Sequence, residues 1–208
     1  MEIIPSLIVS DFEELKSKLD QLEGLVNWAE VDIADGVFSP NITWQIADDL
    51  SELDGKIKLS AHLMTELPET IIDDWLEWVD RVVVHIESTN ELDAIVEKYA
   101  SRPTDLAVAL ELETPIEKVF PYLGKIKTVQ LMSILNIGYY GEKFDDRVLE
   151  KIKNLRAKDP DLKIVVDGGL DLENAKKVLA AGADDLVVGS HIWRSDDIEE
   201  AVRDFQNL

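Results

Sequence analysis

The sequence predicts an α/β fold, a single-domain (β/α)8 TIM barrel that occupies residues 1–208. Short apolar runs alternate with longer amphipathic segments from one end of the chain to the other. Eight such runs in 208 residues leave about 26 residues for each βα unit, which suits a compact barrel and leaves no room for a second domain. The runs are also continuously apolar, as expected for parallel strands that helices cover.

The eight apolar runs are the strand candidates. An open, doubly wound sheet would produce the same local pattern. However, the first turn from strand to helix, IVSDFEEL, lacks the glycine-rich phosphate fingerprint of dinucleotide-binding sheets, and eight similar units favour closure. The predicted strands are Ile3–Val9, Trp28–Ile33, Ile57–Met64, Arg81–Ile86, Leu106–Glu111, Thr128–Ser133, Lys163–Asp167 and Asp185–Gly189.

Amphipathic helices are predicted between the strands. The segment DFEELKSKLDQLE repeats apolar side chains at helical spacing, namely Phe12, Leu15, Leu19 and Leu22. A second such segment, FDDRVLEKIKNLRAK, covers residues 144–158. Asp11 and Asp171 stand where helix N-caps are expected.

The charge of the chain limits its partners. With 43 acidic and 21 basic residues the formal net charge is −22, which argues against nucleic acid, whose phosphates require a basic surface. An anionic substrate would need a local site of backbone N–H groups or a metal ion to overcome this general repulsion.

Cellular location is predicted from three features. The chain has no cysteine, which fits a reducing compartment. Its first residues lack the basic region of a signal peptide. No apolar stretch approaches the roughly 20 residues that a membrane helix needs. We therefore expect a cytoplasmic protein with no membrane partner.

Polar side chains collect at the predicted C-terminal ends of the strands, where barrel enzymes place their active sites. Glu30 and Asp32 are two residues apart on one strand and face the same way, while His62 and Asp167 arrive from other strands. Three carboxylates and one imidazole suit a divalent metal ion. Oxygen-rich ligation favours manganese, ferrous iron or magnesium, and zinc also accepts this mixture.

Glycines follow the last two strands. Gly168 and Gly169 come directly after Asp167, and Gly189 with Ser190 ends the eighth strand. Backbone N–H groups that can be approached closely at this place form the phosphate site that the architecture often carries.

Motifs along nearly the whole chain resemble those of the ribulose-phosphate 3-epimerase family. In order they are PSLIVSDF, VDIADGVFSPNIT, AHLM, HIES, ETP, LMS, VVDGG and VVGS. The resemblance implies an isomerase of carbohydrate metabolism, in the pentose phosphate pathway, that epimerises carbon 3 of a ketose phosphate and interconverts ribulose 5-phosphate and xylulose 5-phosphate. It implies one divalent metal ion (zinc, manganese or iron) and an enediolate intermediate.

The resemblance also implies roles for individual residues. Asp32 and Asp167 would act as acid and base on opposite faces of the sugar, and both would ligate the metal together with His62 and Glu30. The residues matching substrate and phosphate positions are Ser6, Met64, Gly138, Gly141, Gly168, Gly169, Gly189 and Ser190. We also expect a homo-oligomer.

Two departures from the family pattern stand out. Glu30 occupies the position of a histidine metal ligand, and Tyr140 replaces a glycine in the loop after strand six.

Three alternatives stay open. The substrate could be a ketohexose 6-phosphate, or the barrel could have become a binding or assembly protein. A related decarboxylating or carbon–carbon bond-forming barrel would need a lysine in an Asp-x-Lys-x-x-Asp pattern, and the segment 32–35 has none.

Overall fold

Eight parallel strands close into one barrel in chain order in the computed structural model, which describes residues 1–208. The (β/α)8 prediction is therefore confirmed, and every predicted strand boundary lies within two residues of the observed one. The strands are β1 Ile3–Leu7, β2 Trp28–Ala34, β3 Lys58–Met64, β4 Arg81–His85, β5 Asp105–Leu110, β6 Thr128–Met132, β7 Lys163–Asp167 and β8 Asp185–Val188.

The helical layer is reduced after two of the strands. Only short 3-10 segments, Ala47–Glu52 and Ile116–Tyr122, follow β2 and β5, which accounts for the short βα unit. The α-helices are α1 Phe12–Leu22, α2 Ile72–Trp75, α3 Leu92–Tyr99, α4 Val148–Lys158, α5 Leu172–Ala181, α6 Ser190–Trp193 and α7 Ile198–Gln206. These helices lack the combination of length and hydropathy that a membrane crossing requires.

The two expected N-caps are present. The Asp11 carboxylate accepts a hydrogen bond from Glu14 N at 2.9 Å, and that of Asp171 accepts from Glu173 N and Asn174 N. Both satisfy backbone donors that the first helical turn leaves free.

The second predicted helix begins later than expected. It starts at Val148 rather than at residue 144, because Asp145 is committed elsewhere. Asp145 N donates to Ser133 O at 2.9 Å, and the Asp145 carboxylate accepts from Arg147 N at 2.9 Å. These bonds tie the segment to the end of β6 and delay helix formation.

Strand alternation divides the barrel into two environments. Residues facing outward, such as Val31, Leu63 and Val166, are fully buried beneath the helices and form the main apolar core. Inside the barrel, Ile4, Val165 and Val187 form a small apolar cluster. On the same inward face, the strand register pairs Glu30 with Ser60 and Asp32 with His62. The strands read as apolar because their outward face is apolar, while polar side chains point inward.

The amphipathic face of α1 yields a stability prediction. Leu15 is fully buried, so Leu15→Ala should lower the free energy of unfolding in urea by about 2–5 kcal/mol, because it leaves a cavity between helix and barrel. Ser17→Ala on the exposed face of the same helix is the control and should change this value by less than about 0.5 kcal/mol. Equal effects of the two substitutions would contradict this packing.

Candidate active site

Glu30 is held rigidly in the middle of the barrel. Its side chain is fully buried, Oε2 accepts a hydrogen bond from Ser60 Oγ at 2.9 Å, and Oε1 accepts one from Gln130 Nε2 at 2.8 Å. Hydrogen bonds from β3 and β6 therefore satisfy a carboxylate that burial would otherwise penalise strongly.

The imidazole of His62 is the point at which the predicted residues converge. Its Nδ1 lies 3.2 Å from Asp32 Oδ1, 3.4 Å from Glu30 Oε1 and 3.7 Å from Asp167 Oδ2. Strands β2, β3 and β7 thus bring together all four side chains that the sequence suggested as metal ligands.

The charges in this cluster shift one another's pKa values. Burial lowers the pKa of His62, but hydrogen bonds and charges from Asp32 and Glu30 outweigh it and raise the pKa to about 10. Burial raises the pKa of Asp167 well above its usual value, and the charges of Glu30 and Asp32 add to this. Burial likewise raises the pKa of Asp32. For Glu30, burial is outweighed by hydrogen bonding to His62, so its pKa is lowered.

The donor set fits a divalent cation. Ligand atoms of Glu30, His62 and Asp167 all lie within 4.8 Å of one another, and Asp32 adjoins this triad through its contact with His62. No lysine or arginine forms an ion pair with these three carboxylates, so His62 is their only cationic contact. Mixed carboxylate and imidazole ligation suits zinc, manganese or ferrous iron.

A second imidazole fixes the orientation of the first. His62 Nε2 lies 2.8 Å from His85 Nε2, and His85 Nδ1 lies 3.3 Å from Glu87 Oε2. Glu87 is held in turn by Glu111 N, which donates to its Oε1 at 2.9 Å. Partners of this kind turn a ligand's other ring nitrogen toward the metal position. His62 Nδ1 is accordingly directed at the carboxylates.

Sequence reasoning missed the roles of Ser60 and Gln130, the hydrogen-bond donors to Glu30. A signal for both was present. Each is a polar residue inside an apolar strand, at the same inward parity as His62 and Met132, respectively. Their proximity to Glu30 can be inferred only once the strand register is known.

A small cavity adjoins the cluster at the C-terminal mouth of the barrel. Its volume is about 40 Å³, and both Asp32 and Asp167 line it. The cavity also brings together the residues that the sequence suggested for substrate and phosphate: Ser6, Met64, Gly138, Gly141, Gly168, Gly169, Gly189 and Ser190. At Gly169, with φ +65°, a Cβ would lie 2.5 Å from Phe144 N, so only glycine fits there.

Tyr140 crosses the mouth beside this cavity. Its hydroxyl donates to Ser6 O at 2.7 Å and accepts from Ile8 N at 3.0 Å. Its ring lies against Gly189, where a Cβ would be 2.6 Å from Tyr140 Cε1. The residue that replaces the family's glycine therefore points into the site.

A closed (β/α)8 barrel with acids and imidazoles gathered at its C-terminal mouth defines an enzyme of the TIM-barrel class. The chain belongs to the ribulose-phosphate 3-epimerase family, whose family model matches residues 2–193. It is thus an epimerase, in the isomerase class.

Individual relatives agree with this assignment. The chain is 32% identical to a protein named ribulose-phosphate 3-epimerase, cytoplasmic isoform, from Oryza sativa subsp. japonica, over 92% of the chain and 87% of that protein. It is 31% identical to a ribulose-phosphate 3-epimerase from Methanocaldococcus jannaschii, over 99% of the chain and 90% of that protein. Identity to the Bacillus subtilis ribulose-phosphate 3-epimerase is 29%, over 99% of the chain and 98% of that enzyme.

Solved structures support the fold alone. A 3-hexulose-6-phosphate synthase superimposes with a TM-score of 0.75 at 15% identity, covering 100% of the chain and 99% of the synthase. An orotidine 5'-phosphate decarboxylase from Pyrococcus horikoshii OT3 gives a TM-score of 0.67 at 19% identity, covering 99% of the chain and 97% of the decarboxylase.

The anchoring of Glu30 can be tested by removing a donor. Gln130→Leu replaces the amide with a slightly smaller apolar side chain and leaves Glu30 Oε1 without its shortest hydrogen bond, so the free energy of unfolding should fall by about 1–3 kcal/mol. Gln21→Leu, on the exposed face of α1, is the matched control and should change it by less than about 0.5 kcal/mol. A fully stable Gln130→Leu variant would show that Glu30 does not depend on this bond.

Proposed function

We propose that the protein interconverts ribulose 5-phosphate and xylulose 5-phosphate by epimerisation at carbon 3, with the help of one divalent metal ion. The observation that carries this proposal is the placement of Asp32 and Asp167. They come from β2 and β7, lie within 3.2 and 3.7 Å of His62 Nδ1, and line the same cavity. The relatives named as ribulose-phosphate 3-epimerases support this choice of substrate.

Two carboxylates meet the chemical requirement of inversion. Removing the proton on carbon 3, next to the carbonyl, gives an enediolate, and inversion requires that a proton return from the opposite face. Asp32 and Asp167 reach the cavity from different strands, so one can take the proton while the other delivers it. Burial raises the pKa of both carboxyl groups above the usual aspartate value, which is the direction that makes a carboxylate a stronger base.

Glu30, His62 and Asp167, with Asp32 adjoining, would hold the divalent ion. When bound, the ion supplies Lewis-acid stabilisation of negative charge that develops on the substrate oxygens. Glu30 contributes a charged oxygen where the family pattern has a neutral imidazole. This change strengthens the electrostatic attraction for the cation and adds negative charge near the enediolate.

Apolar side chains surround the reacting position. Ala34, Met64, Met132, Ile134 and Ile137 form a buried cluster at the mouth, and Phe38 packs against it. Excluding water around an enediolate protects it from side reactions and strengthens the electrostatic interactions that stabilise it.

The phosphate would bind at the glycine-rich ends of β7 and β8. Gly168, Gly169, Gly189 and Ser190 line the cavity there, and backbone N–H groups would supply the donors. A net charge of −22 makes such a local site necessary for an anionic substrate. Cytoplasmic location and homo-oligomeric assembly stay predictions from the sequence.

The two-aspartate mechanism is tested in D₂O. The parent protein, with manganese, zinc or ferrous iron, should convert ribulose 5-phosphate to xylulose 5-phosphate and introduce deuterium at carbon 3, as followed by NMR. Asp32→Asn and Asp167→Asn should each lower kcat by about 10²-fold or more, because each removes one of the two proton-transfer groups. Asp146→Asn, an exposed acid outside the cavity, is the matched control and should retain the parent rate.

Two results would contradict the mechanism. Parent-level activity in Asp167→Asn would show that Asp167 is not a proton-transfer group. The absence of turnover of ribulose 5-phosphate with any of these metals would show that this pentose phosphate is not the substrate. Including allulose 6-phosphate in the same assay distinguishes a ketohexose phosphate epimerase from a barrel that has lost epimerase activity.

A further inference from the structure

Tyr140 occupies the phosphate end of the candidate active site. Its ring lies against Gly189, so closely that a Cβ there would be 2.6 Å from Tyr140 Cε1 and 2.8 Å from Cδ1. Tyr140 also lines the same cavity as Gly168, Gly169 and Ser190. The aromatic ring therefore fills space beside the backbone groups that the proposed function assigns to phosphate.

The tyrosine hydroxyl is held by the end of β1. It donates to Ser6 O at 2.7 Å and accepts from Ile8 N at 3.0 Å, so both its donor and its acceptor function are satisfied by backbone groups. Trp193 Nε1 also donates to Ser6 O, at 2.7 Å. Two aromatic side chains, one from the loop after β6 and one from α6, thus meet at one carbonyl beside the mouth.

The remaining space is too small for a ketose phosphate. The cavity measures about 40 Å³, whereas pockets for small organic ligands measure about 300 Å³ or more. A space of this size accommodates one or a few water molecules. Tyr140 is the bulky side chain beside Gly189, so an outward movement of its ring would enlarge the space at the phosphate end.

Two glycines bracket the tyrosine pair in the loop after β6. Gly138 and Gly141 flank the two tyrosines with φ of +88° and +85°, a conformation that glycine adopts without strain. The N-terminal side is anchored, because Asn41 Nδ2 donates to Gly138 O at 2.8 Å and Ser39 Oγ donates to Ile137 O at 3.0 Å. An outward turn of the Tyr140 ring would therefore involve the residues that follow this anchor, from Gly138 to Gly141.

An open cleft adjoins the outer side of this segment. It measures about 480 Å³ and is lined by Gly141, Gly169, Ser190 and Arg194 among others. A displaced tyrosine ring would have room there. Because the cleft shares Gly169 and Ser190 with the inner cavity, outward movement of the ring would join the two spaces.

We propose that Tyr140 is a specificity-determining plug, which competes with the phosphate group of the substrate for one position, so that phosphate binds only when the segment Gly138–Gly141 turns outward. The identity of the ligand rests on the proposed function. Affinity for a phosphorylated ligand is then reduced in proportion to the fraction of molecules in which the plug is open. Removing the plug removes this reduction.

The test measures binding directly on metal-loaded protein by calorimetry, with ribitol 5-phosphate as the ligand, because this polyol lacks the carbonyl and cannot be turned over. Tyr140→Gly should bind it about tenfold or more tightly than the parent does. Tyr140→Phe keeps the ring but loses both hydrogen bonds, and should bind several-fold more tightly. The matched control, Tyr122→Phe, removes the hydroxyl of a tyrosine that lies outside this segment and does not line the cavity, and it should bind within about twofold of the parent.

The outcomes separate the plug from the proposed reaction. Tighter binding in both Tyr140 variants supports the plug even if no variant epimerises ribulose 5-phosphate, and in that case only the proposed function fails. Parent-level affinity in both variants overturns the plug, even if the parent is a fully active epimerase. The absence of binding in every variant overturns it as well. If circular dichroism shows that Tyr140→Gly is unfolded, the affinity of Tyr140→Phe decides alone. Tighter binding than in the parent then supports the plug, and parent-level binding overturns it.

Discussion

Three carboxylates converge on one imidazole nitrogen inside the barrel, and this concentration of buried charge is the constraint on which the rest of the site depends. Buried anions are costly unless hydrogen bonds and opposite charges compensate them. Ser60 and Gln130 supply hydrogen bonds to Glu30, and the raised pKa of His62 makes its imidazole the positive partner. A divalent ion would meet the same need more completely.

The barrel provides the conditions for this arrangement. Strand alternation places an apolar face under the helices, so the stability of the outer core does not depend on the inward face. The inward face is then free to carry polar groups at one level. His85 and Glu87 extend the network away from the cluster and fix the ring of His62. The geometry of the site therefore depends on residues that do not themselves line the cavity at the mouth.

Much of this could be predicted because the signals are local or follow from the architecture. The apolar runs define the strands, and Asp11 and Asp171 act as caps through bonds within their own helices. Glu30 and Asp32 could be grouped because they share strand parity, and the barrel brings strand ends to one rim. Ser60 and Gln130 could not be assigned, because a single polar residue in an apolar strand gains its partner only from the register. The position of Tyr140 depends on contacts with Ser6 and Ile8, more than 130 residues away in sequence, and no local pattern encodes them.

Glu30 and Tyr140 depart from the family pattern at the two ends of one site, the metal end and the phosphate end. At the metal end, Glu30 is proposed to act as a ligand. Its most direct test is the metal content, by mass spectrometry, of parent and Glu30→Gln protein purified without chelators and then equilibrated with manganese, zinc or ferrous iron. If Glu30 is a ligand, the parent should hold about one equivalent of a divalent metal, and folded Glu30→Gln, which lacks the anionic ligand, should lose most of it. A parent protein that takes up none of these metals, or a Glu30→Gln variant that retains the full equivalent, would contradict this role of Glu30.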